Sequence, residues 1–491
     1  MAMAMAQPQA DVVRLRNFIG GEWVEADAAG TDPVYNPATG EVIAQVPLSS
    51  AADVDRAVKA AAAAFDAWRE TPVFQRARLM FRYKQLLEEH GEELARLITR
   101  EHGKTLAEAR AELERGIEVV EFAAGIPTLI MGKTLELVGT GVDAEMYRQP
   151  LGVCVGICPY NFPAMIPMWM FPLALACGNT FVLKPSERTP MTAVRLAELL
   201  AEAGVPAGVF NVVHGSRETV DALLAHEEVR AVSFVGSQPV AAYIYRTAAA
   251  YGKRVQALAG AKNHMIVLPD ADLDFATEAI VASSFGSAGQ RCMAGSVLVA
   301  QKDVADNILE RLVDRSNRLK IGPGDQPEVE MGPLIRDQHR ERVKGYIQIG
   351  EEEGARLIFD GRKTRVPERG FFLGPTIFDG ASPDMRIARE EIFGPVLTTV
   401  RVKDVEEGIA LINRSAYGNG AVIFTRSGAA ARAFRRHAKA GMLGINIGVP
   451  APVAVFPFTG WRNSFYGDLH ANGEDAINFY TDRKVVTVRW M

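Results

Sequence analysis

Short apolar runs alternate with helical stretches through the first half of the chain. Residues Val153–Ile157, 180–183, 209–213 and 232–235 read as strands, and 192–203 and 219–224 as helices between them. This rhythm constrains the fold most, because a strand returning parallel to its neighbour needs a long crossover, and a helix laid on the sheet supplies one. It recurs across 259–450, through 265–268, 297–300, 304–315 and 397–402, and predicts a second α/β unit. Length agrees: a chain of 491 residues, 48% hydrophobic and 23% charged, forms more than one core, since single cores stop growing near ~250–300 residues. Residues 51–124 carry apolar side chains at three- and four-residue steps, including the run 86–94, and read as amphipathic helices. Residues 135–147 read as strand around a Gly139-Thr-Gly141 turn, and 485–490 as an exposed strand whose free edge invites a partner.

A net charge of -5 gives no field for nucleic acid or an anionic membrane. The opening Met1-Ala-Met-Ala-Met-Ala6 is too short for a signal sequence, and no run reaches the ~18 apolar residues of a membrane span, so a cytoplasmic protein is expected. Four cysteines, at 154, 158, 177 and 292, suit a reducing compartment. Cys154 and Cys158 lack a nearby histidine or second cysteine pair, so no metal site is expected.

The richest local signal is Phe285-Gly-Ser-Ala-Gly-Gln-Arg-Cys-Met-Ala294, one polarizable nucleophile after an arginine. A reactive thiol needs a lowered pKa, from positive charge or helix-terminal N–H groups, and room for a substrate carbon. Gly286, Gly289 and Gly295 are expected to give that room. A buried structural cysteine beside a turn is the other reading of the segment.

Gly289-Gln-Arg-Cys-Met-Ala294 resembles the nucleophile segment of the aldehyde dehydrogenase superfamily. Pro159-Tyr-Asn-Phe-Pro163, Lys184-Pro-Ser-Glu187, Phe234-Val-Gly-Ser237 and Glu390-Glu-Ile-Phe-Gly-Pro395 are similar to its other signatures, in the same order, and the likeness runs from Asn17 to the C-terminus. The resemblance implies an α/β fold with two Rossmann-like domains and a β oligomerisation arm. It places an NAD-binding domain at 1–128 and 150–258, a catalytic domain at 259–471 and the arm at 129–149 and 472–491. It implies a homo-oligomer, a homotetramer or homodimer.

No G-x-G-x-x-G loop follows an early strand, so the phosphates of NAD need another cradle. Ser237, ahead of the helical run 240–249, offers N–H groups at a helix start, although Ala241 stands where the superfamily often has glycine. Lys184 and Glu187 follow an apolar strand, and a carboxylate there accepts ribose hydroxyls and repels a 2′-phosphate, which favours NAD over NADP. The resemblance adds Phe162, Glu391 and Phe393 to the cofactor contacts.

An aldehyde releases hydride after thiolate addition makes a tetrahedral oxyanion. Cys292 is the expected nucleophile, and the Asn161 side chain with the Cys292 backbone N–H the expected oxyanion donors. Most members then hydrolyse the thioester with a glutamate in a Glu-Leu-Gly-Gly-Lys segment. Here the segment is Gln256-Ala-Leu-Ala-Gly-Ala-Lys-Asn-His264, and aligning Gly260 and Lys262 puts Leu258 at the glutamate position. Leucine cannot activate water, whereas coenzyme A attacks as its own thiolate. This segment, 159–171 and 460–473 resemble a CoA-acylating branch whose substrates carry a carboxylate one carbon from the aldehyde carbon. Arg115 and Arg291 match its carboxylate-binding arginines, whose planar forks suit bidentate contact. For Arg115 a surface ion pair with Glu112 or Glu118 is the plainer alternative. His214 and His264 are candidates for the CoA-dependent half or for structural histidines. A hydrolytic dehydrogenase with another base, or a non-catalytic member of the fold, are the rival readings.

Overall fold

The computed structural model describes residues 12–491; the Met1–Ala6 run lies outside the described residues. Among the described residues no helix is long and apolar enough to cross a membrane.

Two large sheets carry the molecule. The first orders its eight strands Phe465–Tyr466, Arg254–Leu258, Val229–Val235, Val153–Ile157, Thr180–Lys184, Phe210–Val212, Asn17–Ile19 and Glu22–Val24. Its five central strands run parallel and the outer ones antiparallel. The strands at 153–157 and 180–184 are buried throughout, as expected where helices cover both faces. The second sheet orders Arg356–Phe359, Thr376–Asp379, Val396–Val402, Gly295–Gln301, Asn263–Val267, Gly420–Phe424 and Met442–Ile445. Only its Arg356–Phe359 edge is antiparallel. The two predicted α/β units are therefore both present. Phe465–Tyr466 departs from a simple division at 258, since it pairs back onto Arg254–Leu258 of the first sheet.

Four helices fill 51–124: Ala51–Arg69, Val73–Glu89, Gly91–His102 and Leu106–Ala124. The run 86–94 is not one helix but two, divided at His90. The first and last of the four open on reciprocal capping boxes, Ser50 with Asp53 and Thr105 with Glu108, which satisfy N–H groups that a helix start otherwise leaves free. Gly103 ends Gly91–His102 at φ +91, where a Cβ would also overlap Pro333. The helix Met165–Ala176 is apolar all round and almost wholly buried between this layer and the first sheet.

A third sheet pairs Thr481–Arg489 with Val142–Pro150 and that strand with Lys133–Gly139. The expected strands at 135–147 and 485–490 are thus partners of each other. Leu135, Leu137, Val485 and Trp490 remain exposed on it.

Candidate active site

The segment before Cys292 is a strained turn. Ser287 and Ala288 have φ of 49° and 51° and Gly289 has +71°, a left-handed run that side chains rarely adopt. The glycines do not leave open space, contrary to the expectation from sequence. A Cβ on Gly286 would overlap the Arg291 guanidinium, one on Gly289 the Gly394 carbonyl, and one on Gly295 the Met265 side chain. They let neighbouring groups approach the nucleophile turn closely. Gly289 in particular seats the turn against Gly394-Pro395 and so joins two of the signature segments.

Behind the turn, Asn263 Nδ2 donates to the Cys292 carbonyl at 2.9 Å and to the Ala294 carbonyl at 2.9 Å, and Asn419 Nδ2 donates to the Cys292 carbonyl at 3.0 Å. Both asparagines stand at the starts of adjacent strands of the second sheet. Sequence reasoning missed them, since a lone asparagine before a strand carries no distinguishing signal.

Cys292 is half-buried and free. A depressed thiol pKa was expected, and the structure gives the opposite. Burial pushes the thiol up to about 12 and Glu391 adds to the rise, while the backbone N–H groups of Cys292 and Met293 and the Arg291 guanidinium pull the other way. Two openings meet at this side chain. On one side is a cavity of about 200 Å³ lined by Glu108, Arg115, Glu118, Phe162 and Arg291 with apolar Trp169 and Phe458. On the other is a narrow cleft lined by Ala261, Asn263, Glu391 and Phe393. A larger groove of about 530 Å³, between helix Lys302–Asn317 and strand Arg356–Phe359, holds no nucleophile and is crossed by ion pairs of Arg356 and Arg401.

Asn161 is buried, and its Nδ2 donates to the Gln290 carbonyl at 3.1 Å, two residues before the thiol. One of its two amide hydrogens is thus used to fix the side chain beside the nucleophile turn, and the other is left for a ligand. Its backbone is held from below. Lys104 Nζ donates to the Asn161 carbonyl at 2.7 Å and to Glu112 Oε2 at 2.5 Å, and lies 4.1 Å from the centre of the Phe162 ring. Glu112 Oε1 in turn accepts from the N–H groups of Ala164 at 2.9 Å and Met165 at 3.2 Å. Lys104 and Glu112 are fully buried, and nothing in their sequence context separates them from a solvated pair.

The two arginines reach the cavity already paired. Arg115 meets Glu118 at 3.0 Å, the plainer of the expected roles, and Arg291 meets Glu108 at 2.6 Å. A carboxylate entering this cavity would share or exchange these partners. A guanidinium has five N–H donors, which leaves each arginine free donors for a second acceptor.

The cofactor candidates lie at strand and helix ends. Lys184 closes the strand Thr180–Lys184 and meets Glu187 at 3.2 Å. Burial acts to raise the Glu187 carboxyl, yet Lys184 and Arg188 hold it below its ordinary value, so it is an ionised acceptor. Ser237 is the N-cap of helix Gln238–Ala250, where no side chain takes the cap, and Ala241 lies buried in the first turns. That uncapped helix start and the Glu187 acceptor fit the pyrophosphate and ribose of a dinucleotide. Leu258 is buried at the end of the parallel strand beside Val235, in the same apolar cluster that contacts Cys292. No water-activating carboxylate stands at that position.

Glu391 is fixed by the Ala261 N–H at 2.9 Å, and burial pushes its carboxyl up to about 7. Lys262, also buried, is pushed down to about 7. Phe393 has φ +59, and helix Asp337–Glu352 grips its backbone: His339 Nε2 donates to the Phe393 carbonyl at 2.7 Å, and Arg342 to those of Ile392 at 2.8 Å and Glu391 at 3.1 Å. His214 and His264 are both buried, and burial pushes each down to about 4, so both are neutral at pH 7.

The site thus sets a free, half-buried thiol where a cavity and a narrow cleft meet, on paired α/β sheets. The sequence profile of the aldehyde dehydrogenase family matches residues 23–486, and the chain belongs to that family. Among its relatives, malonate-semialdehyde dehydrogenase 1 of Geobacillus thermodenitrificans is 59% identical over 480 residues, 98% of this chain and 99% of the relative. The crystal structure of methylmalonate-semialdehyde dehydrogenase from Oceanimonas doudoroffii superposes with a TM-score of 0.96 at 51% identity, covering 98% of this chain and 99% of that one. The crystal structure of a Sinorhizobium meliloti 1021 protein assigned as a methylmalonate-semialdehyde dehydrogenase, complexed with NAD, superposes with a TM-score of 0.97 at 46% identity, covering 98% of this chain and 99% of that one.

Proposed function

We propose that the protein oxidises malonate semialdehyde and methylmalonate semialdehyde with NAD and transfers the acyl group to coenzyme A. Acetyl-CoA or propionyl-CoA is formed, and the carboxylate leaves as CO2 or bicarbonate. The observation that carries the acylating part is Leu258, an apolar side chain buried where the water-activating glutamate of related enzymes would stand.

In this reading Cys292 gives up its thiol proton to solvent and attacks the aldehyde carbon as the thiolate, from the junction of the two openings. The Asn161 amide and the Cys292 backbone N–H receive the oxyanion, each fixed donor contributing about 2.7–4 kcal/mol. NAD supplies the hydride acceptor. Lys184, Glu187 and Ser237 bind its adenosine and phosphate end, and Glu391 and Phe393 hold the nicotinamide end toward the thiol; Phe162, expected from the sequence as a cofactor contact, lines the substrate cavity on the other side of Cys292. Arg115 and Arg291 hold the substrate carboxylate. The thioester makes the β-carboxylate labile, before or after transfer to CoA, because the electrons it leaves behind are delocalised into an enolate, which takes a proton from solvent to give the acetyl or propionyl group. The CoA thiolate displaces the acyl group from Cys292, which departs as its thiolate, without help from a base. The strands at 133–150 and 481–489, with their exposed apolar side chains, support self-association into a homodimer or homotetramer. The division into a cofactor domain (1–128 and 150–258), a thiol domain (259–471) and an arm is part of the same proposal.

One observation favours a second reading. Glu391 is a buried carboxyl held at about 7 beside Cys292, the range suited to a general base. If it activates water, the product is a free acid. Mass-spectrometric analysis of reactions containing malonate semialdehyde, NAD and CoA decides between the two. Acetyl-CoA stoichiometric with NADH is expected, and a free acid as the main product would overturn the acylating reading.

A further inference from the structure

Glu108 lies in the first turn of helix Leu106–Ala124, and its two carboxylate oxygens do different things. Oε2 accepts from the Thr105 N–H at 3.0 Å and the Thr105 hydroxyl at 3.2 Å, closing the capping box of its own helix. Oε1 accepts from the Ser287 N–H at 2.7 Å and from Arg291 Nη2 at 2.6 Å. A cap needs only the first oxygen. The second spans the left-handed run of Ser287, Ala288 and Gly289, gripping the residue that opens it and the arginine immediately before Cys292.

Non-glycine residues with φ of 49° and 51° persist only where their surroundings over-determine them. Here the determinants are Gly394 packed on Gly289, the Gln290 N–H donating back to the Ser287 carbonyl at 3.0 Å, and the Glu108 carboxylate across the turn. Gly286 completes the fit, since any Cβ there would displace the Arg291 guanidinium from this carboxylate. We propose that Glu108 is a positioning residue for the nucleophile: through one oxygen it holds the strained turn that presents Cys292 and sets the Arg291 guanidinium at the cavity wall. This rests on the reading of Cys292 as the nucleophile.

The test is the pre-steady-state release of NADH from propionaldehyde, which carries no carboxylate and so does not depend on how Arg115 and Arg291 read the substrate. Glu108→Ala should slow the burst by about 10²-fold, the scale of an ångström-sized misplacement of a reacting group, with NAD affinity unchanged. Glu108→Asp still serves the cap but is one methylene short of the turn, and should be slowed as well, which keeps the test alive if the alanine variant does not fold. Glu108→Gln retains an acceptor for the Ser287 N–H and should recover most of the rate. Thr105→Ala removes the hydroxyl half of the cap and leaves both Oε1 ties, so its burst should match wild type. Wild-type burst rates in Glu108→Asp, or equal slowing by Thr105→Ala and Glu108→Ala, would overturn the proposal. A burst that survives in Cys292→Ala would instead defeat the nucleophile reading beneath it.

Discussion

At the scale of single residues, Cys292 is a thiol rather than a thiolate near neutral pH, because burial and Glu391 outweigh Arg291 and the two backbone N–H groups around it. The sign of the Glu391 effect is testable. Its carboxyl titrates near 7, so it is mostly neutral at pH 6 and mostly ionised at pH 8. Glu391→Gln removes the negative charge only where it exists, so alkylation of Cys292 by iodoacetamide should speed up at pH 8 and stay nearly unchanged at pH 6. An equal change at both pH values would show that the residue acts through shape. Cys292 was legible as a candidate from its own segment, whereas Asn161, Glu187 and Glu391 became candidates through the resemblance of their segments to the aldehyde dehydrogenase signatures. The titration state was not, because it is fixed by partners remote in sequence. The same applies to the glycines before the thiol, whose need for close approach appears only when Arg291, Gly394 and Met265 are placed around them.

At the scale of elements, one face of helix Leu106–Ala124 organises the cavity. Glu108, Glu112 and Arg115 stand four and three residues apart on it, meeting the nucleophile turn, the Asn161 loop and the cavity in succession. The helix itself was readable from its apolar period. Its buried Glu112 was not, because burial depends on Lys104, which arrives from the preceding loop. Removing one member of a fully buried ion pair leaves the other charge uncompensated, at a cost of about 3–5 kcal/mol. Lys104→Met should therefore lower the unfolding free energy extrapolated from urea titration by about that amount, with a lower midpoint, and adding Glu112→Gln should recover part of it. A midpoint unchanged in Lys104→Met would mean the pair is not buried in solution. The split of 86–94 into two helices was also hidden, since the apolar spacing continues across His90 while the backbone does not.

At the scale of the whole molecule, the alternation of apolar runs and helices predicted both parallel sheets. It did not predict that Phe465–Tyr466 would return to the first sheet and pair with the strand ending at Leu258, a contact far too long-range for local patterning to specify. The three-stranded sheet of Lys133–Gly139, Val142–Pro150 and Thr481–Arg489 leaves apolar side chains exposed. Light scattering should accordingly give a native mass that is a multiple of 53.4 kDa, and a monomer would contradict the arm assignment. In the proposed reaction, which ends with acyl transfer to CoA, residues from both sheets act together. Stopped-flow measurement of NADH from malonate semialdehyde tests it most directly. Without CoA, one NADH per active site should appear in a burst and turnover should then nearly stall; adding CoA should restore steady turnover. Rapid steady NADH production in the absence of any thiol would overturn acyl transfer to CoA as the step that clears Cys292.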